Sequence, residues 1–195
     1  FKVQRSKKIP LTVDRCPLSF IIFAKNNIMI FITGCTGLVG SHLVAELINR
    51  ERTTDKRQQT LSSIKILCRR NSNLSLLKKV LKRYGIDEFP DNVEFVYGDV
   101  LDYDILETSM ENVDEVYHCA AVVSFDPSDK KSLMHVNVEG TKNMVNAALR
   151  CKVKKFCHVS SIAALGRALE GETIDEESPW THSKNNSVYS NSKHN

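Results

Sequence analysis

The stretch IMIFITGCTGLVGSHLVAELI, Ile28–Ile48, decides the fold. A run rich in β-branched and aromatic residues, too short for a helix, passes directly into Gly34, and Gly37 and Gly40 follow at intervals of three. An apolar pattern, SHLVAELI, begins at once after the last glycine. A lone glycine triplet says little, but strand, triplet and helix in this order are the context in which backbone approaches an anion. Glycine allows the tight turn and leaves no side chain between the amides and a pyrophosphate, while the positive helix end faces the charge.

Outward from that stretch the same alternation recurs. Short apolar runs stand at IMIFIT (28–33), IKILC (64–68), VEFVYG (93–98), DEVYHCA (114–120) and KKFCHVS (154–160). They read as strands buried on both faces. Helical patterns fill the gaps at 40–50, 74–83, 103–110 and 129–150, the last with Leu133, Val136, Gly140, Met144 and Ala147 on one face. Repeated βα units predict an α/β fold, a doubly wound parallel sheet of Rossmann type. The polar ERTTDKRQQTLSS (51–63) reads as an exposed loop or helix extension. Residues 1–27 read as an N-terminal appendage outside the fold, since Met29 would serve as a natural start. Residues 28–195 read as one dinucleotide-binding domain.

Composition narrows the function classes. The formal charge is +4 over 195 residues, but residues 1–28 hold six basic side chains and one acid, and residues 29–195 hold 21 and 22. The folded part is near neutral, so no nucleic-acid partner is expected. Six cysteines show no C-x-x-C pair and no zinc-ligand spacing, and they read as buried free thiols of a reducing, cytoplasmic compartment. The apolar run Leu18–Ala24 is too short to span a bilayer, and no membrane partner is expected.

With these residues in view, TGCTGLVG resembles the TGxxGxxG fingerprint of the extended short-chain dehydrogenase/reductase superfamily, which includes NAD-dependent epimerases and dehydratases. The resemblance runs from about Met29 to Lys193 and is nearest to dihydroflavonol-reductase-like members. It implies cofactor contacts from Gly34, Thr36, Gly37, Leu38, Val39 and Gly40. VYGDV puts Asp99 and Val100 where the family meets adenine, and YHCAA puts Cys119, Ala120 and Ala121 along the cofactor. VNVEGT puts Asn137 at a family position in the following helix. Read singly, Asp99 could cap a turn, His118 could be a satisfied core histidine, and Asn137 could serve the helix–sheet interface.

The closing stretch VYSNSKHN places Tyr189 and Lys193 four residues apart, on one face of a helix. A free tyrosine loses its proton near pH 10, so proton transfer near neutrality asks for about 4 kcal/mol. A nearby ammonium supplies energy of that size. The resemblance makes Ser161, Tyr189 and Lys193 the catalytic set, with Ser160 as the runner-up serine, and has Tyr189 and Lys193 also touch the cofactor. Where an NAD-binding carboxylate would stand, the sequence has Cys68, then Arg69 and Arg70; Arg69 suits a 2′-phosphate, so NADP is expected and NAD remains possible. No metal site is expected.

The implied activity is hydride transfer between nicotinamide and a small carbonyl or alcohol substrate by a Ser-Tyr-Lys mechanism. The alternatives are a nucleotide-sugar epimerase or dehydratase of the same fold, and a non-enzymatic dinucleotide sensor. The resemblance further implies a missing C-terminal substrate lobe and a homodimer when full length. A helix of at most seven residues opening near Tyr189 would be marginal alone. Tyr189 and Lys193 are therefore expected on a fraying end, and this form is expected to be inactive.

Overall fold

The computed structural model describes residues 28–53, 62–124, 126–165, 173–175, 177–181, 183 and 186–194. The expected appendage, Cys16 and the core of the polar stretch after residue 53 lie outside the described residues. Five parallel strands form one sheet in the order β3-β2-β1-β4-β5, with β1 Ile28–Thr33, β2 Ser62–Cys68, β3 Val93–Tyr97, β4 Glu115–His118 and β5 Lys155–His158. The helices are α1 Leu38–Thr53, α2 Ser75–Arg83, α3 Tyr103–Ser109, α4 Lys130–Met134, α5 Thr141–Arg150 and α6 Val188–His194. This is the expected doubly wound α/β architecture.

Alternation along β1 builds the two layers. Ile30 and Ile32 point to one face and pack with Val44, Ala45 and Ile48 of α1 and Leu77, Val80 and Leu81 of α2. Phe31 points to the other and packs with Leu106, Met110, Met144 and Ala147 of α3 and α5. A central strand between two helical layers buries both faces, as its continuous apolar sequence requires. The edge strands differ from that expectation. Along β3 and β5 no residue is fully buried, and Tyr97 and Cys157 are exposed. Cys157 thus corrects the expectation of buried thiols, because a run near the sheet edge can be apolar without being enclosed.

The long helical pattern at 129–150 also differs in detail. Its expected inner face holds, with Leu133, Gly140, Met144 and Ala147 buried, but His135–Gly140 winds as a π-helix between α4 and α5. The wider turn inserts one residue into the helical ladder and often marks a functional site.

Candidate active site at the strand ends

The carboxyl ends of β1, β2, β3 and β4 surround a cleft of about 230 Å³. Its sides include Gly34, Thr36, Gly37, Arg69, Asp99, Val100, Cys119, Ala120 and Ala121, all expected from sequence. The glycines serve different ends. Gly34 has φ of +74°, and a β-carbon there would stand 2.5 Å from the Ala120 nitrogen, so the bare backbone lets β1 pass β4. A β-carbon on Gly40 would collide with the Gly34 carbonyl, so that glycine seats α1 against the turn. At Gly37 the nearest atom to such a carbon is the Gly34 oxygen at 3.4 Å, and that side is open toward the cleft. Leu38 and Val39 are 66% and 54% exposed at the start of α1. Neither they nor Gly40 line the cleft; as the first turn of a 16-residue helix they contribute amides and the dipole rather than side chains.

At the β2 end, the Arg69 amide donates to the Ser72 hydroxyl at 3.1 Å, and the Ser72 amide donates to the Arg69 carbonyl at 2.9 Å. This tight turn exposes Arg69 on the cleft wall, whereas the Arg70 guanidinium lies 5.5 Å from the centre of the Tyr97 ring. Among the described residues, Asp99 is the one carboxylate on the cleft wall, and it accepts from the Leu101 amide at 3.1 Å. Burial first, and then the neighbouring Cys68, push the Cys35 thiol up to about 12. Burial first, and then Cys157, push Cys119 up to about 11. Neither thiol is a nucleophile near neutrality.

His118 is buried and fully bonded. The Thr33 hydroxyl accepts from the Ala120 amide at 3.2 Å and shares a hydrogen bond with His118 Nδ1, 2.7 Å away. His118 Nε2 shares a hydrogen bond with the Thr141 hydroxyl, 3.0 Å away. Burial first, then His158 and Lys193, hold the imidazole down at about 3. His118 is the satisfied core histidine, a neutral cross-link between β1, β4 and α5.

Asn137 does not line the cleft. On the π-helical turn its Oδ1 accepts from the Val122 amide at 2.8 Å, and its Nδ2 donates to the Val122 carbonyl at 2.9 Å and to Ser192 Oγ at 2.9 Å. Its amide is spent on the protein, fixing the cleft wall at Val122 and reaching across to α6. The structure places the Asn137 amide on Val122 and Ser192, the interface role that the residue read singly also allowed.

Tyr189 and Lys193 share α6, as expected, and lie beyond the cleft rather than on its wall. Side chains connect the helix to the rest of the fold. Ser187 caps it, accepting from the Ser190 amide at 3.0 Å. Ser190 Oγ donates to the Ala163 carbonyl at 2.7 Å, and Lys193 Nζ donates to the Val159 carbonyl at 3.1 Å. The Trp180 ring stacks on His194 with 3.9 Å between centres, laying the preceding loop on the helix. Burial lowers the Lys193 pKa, and burial followed by the Lys193 charge lowers that of His158. Ser161 stands between Val159 and Ala163, and its hydroxyl oxygen accepts from the Ala163 amide at 3.2 Å. That leaves its proton available to an incoming oxygen; Ser160 is exposed.

Sequence reasoning gave no cleft role to Thr33, Ser72, Val122 and Val136 and did not single out Ser190 and Ser192. The signal for the two serines was present, since small hydroxyls alternate beside Tyr189 within a seven-residue helix. Among the described residues no group of histidine, cysteine, aspartate and glutamate could hold a metal, and no helix is long and apolar enough to cross a membrane.

Known proteins are similar to this chain in sequence and fold. Sterol demethylase protein B of Methylococcus capsulatus is 30% identical over 150 residues, which cover 77% of this chain and 38% of that protein. A dTDP-D-glucose 4,6-dehydratase of Dictyostelium discoideum is 31% identical over 162 residues, covering 80% and 34%. Among solved structures, DesIV, the dTDP-glucose 4,6-dehydratase of Streptomyces venezuelae with NAD and TYD bound, superposes with a TM-score of 0.67 at 24% identity. That match covers 85% of this chain and 48% of DesIV. The chain therefore spans between 34% and 48% of the length of these three proteins. The family model for NAD dependent epimerases and dehydratases matches residues 30–195, nearly the whole of the described fold, and the chain belongs to the NAD dependent epimerase/dehydratase family.

Proposed function

We propose that this chain is the cofactor-binding part of an NADP(H)-dependent oxidoreductase that interconverts a carbonyl and an alcohol. The observation carrying this reading is the docking of α6 on the segment after β5. Lys193 reaches Val159 and Ser190 reaches Ala163, so the helix bearing Tyr189 and Lys193 is fastened on both sides of Ser161.

The cleft fits a dinucleotide. Gly37 is bare on the cleft side, the first amides of α1 lie beside it, and the Arg69 guanidinium has no side-chain partner among the described residues. The thiol of Cys68 at the end of β2, where a carboxylate would repel a 2′-phosphate, supports NADP over NAD. When bound, the nicotinamide supplies or accepts the hydride. Ser161 donates its free hydroxyl proton to the substrate oxygen and holds it in place. Tyr189 exchanges a proton with that same oxygen, and the Lys193 ammonium favours the phenolate and holds the ribose.

A second reading is a nucleotide-sugar dehydratase or epimerase, supported by the dehydratases of Dictyostelium and Streptomyces among the similar proteins. Against it, Ile162 and Ala163 follow Ser161 where dehydratases commonly place acids. In the whole enzyme, Tyr189→Phe is expected to lower turnover at least about 100-fold and to leave NADPH affinity within about twofold of the parent. Substantial turnover in the phenylalanine variant would contradict the role given to Tyr189. Absence of any cofactor oxidation or reduction, in parent and variant alike, would favour a non-enzymatic sensor.

A further inference from the structure

We infer that Ser190 and Ser192 are a pair of positioning residues that brace α6 from opposite sides and so aim the Tyr189–Lys193 face; this rests on the catalytic reading above. A helix turns about 100° per residue. On α6 that places Tyr189 and Lys193 about 40° apart, with Ser190 about 80° to one side of their midpoint and Ser192 about 80° to the other. The two serines are 8% and 3% exposed, and each makes its bond to a different part of the fold. Ser190 donates to the Ala163 carbonyl, in the short turn that begins one residue after Ser161. Ser192 accepts from Asn137 Nδ2 of the π-helical turn and donates at 2.8 Å to the carbonyl of Tyr189 itself.

These tertiary bonds to separate parts of the fold orient α6. A bond on one side alone would leave the helix free to roll; one on each side fixes its rotation. The chemistry given to Tyr189 tolerates little roll, because a displacement of about 1 Å can cost about 100-fold in rate. Asn137 joins the two regions, since the amide that braces Ser192 also fixes the backbone of Val122 on the cleft wall. One buried side chain thereby links the cleft wall at Val122 to α6.

The test uses the whole enzyme with Ser190→Ala, Ser192→Ala and Ser192→Thr, read by amide hydrogen exchange over residues 188–194 and by NADPH titration. Each alanine variant is expected to speed exchange in α6 while leaving the strands protected, and to weaken NADPH binding about fivefold through the displaced Lys193. Ser192→Thr is expected to restore both. Parent-like exchange and parent-like affinity in both alanine variants would overturn the inference. If the parent itself fails to bind NADPH, the cofactor reading fails, and the exchange data alone decide the brace. Equal loss of protection in α6 and the sheet would mean a general packing role and would also overturn it.

Discussion

The two ends of the strand-tip surface are made of different materials. Around β1 the site is backbone: a turn at positive φ, three glycines and the first amides of a long helix. Around β5 it is side chains: Ser187, Ser190, Ser192, Asn137 and Lys193 hold a seven-residue helix in place. The first region should fail when atoms are added. The second should fail when atoms are removed.

The largest effect expected from this contrast is on folding. Gly34→Ala forces an unfavourable φ and drives a carbon against the Ala120 nitrogen, so a loss of about 4 kcal/mol is expected, measured by urea unfolding. Gly37→Ala, three residues on, meets nothing nearer than 3.4 Å. It should cost less than about 1 kcal/mol in stability and still weaken NADPH binding, because its carbon faces the cleft. Similar stability losses at the two positions would break the distinction between packing glycine and ligand glycine.

A second effect sharpens the boundary between the regions, where His118 sits. Burial, His158 and Lys193 together hold its folded-state pKa at about 3, below the unfolded value of 6.5. Between those values the unfolded chain binds the extra proton. This contribution to stability is therefore complete above pH 6.5 and is lost as pH falls toward 3. The expected slope is about 1.4 kcal/mol per pH unit within that window. His118→Gln should flatten it, as read from urea midpoints at several pH values. A flat parent profile between pH 6.5 and 5 would mean that the imidazole charges without penalty.

How much of this was legible in sequence follows the same division. The turn from Thr33 to Gly40 announces itself because its physics is local: the strand, the glycines and the helix are consecutive. The layers were legible too, since Ile30, Phe31 and Ile32 alternate toward partners whose helical spacing is visible. The brace on α6 was not, because Asn137 and Ser192 are 55 residues apart and neither has a local pattern that pairs them. The π-helical turn escaped notice because apolar spacing at 133, 136, 140, 144 and 147 reads the same with or without one wider turn. The exposure of Cys157 depends on which strand lies at the edge, and strand order is not written in any single run.

The smallest effect separates two adjacent arginines. Arg70 rests on the Tyr97 ring away from the cleft wall, so Arg70→Ala should cost about 0.5 to 1 kcal/mol of stability and leave cofactor affinity unchanged. A loss of NADPH affinity as large as that from Arg69→Ala would move the 2′-phosphate site from one side chain to the other.

The most direct test of the central claim, that this cleft is a dinucleotide site tuned to NADP(H), is a parallel titration of the parent and Arg69→Glu with NADPH and NADH. The account predicts that the parent binds NADPH more tightly and that the glutamate variant loses NADPH affinity while keeping that for NADH. Equal affinities of the parent for the two cofactors, or no binding of either, would contradict it.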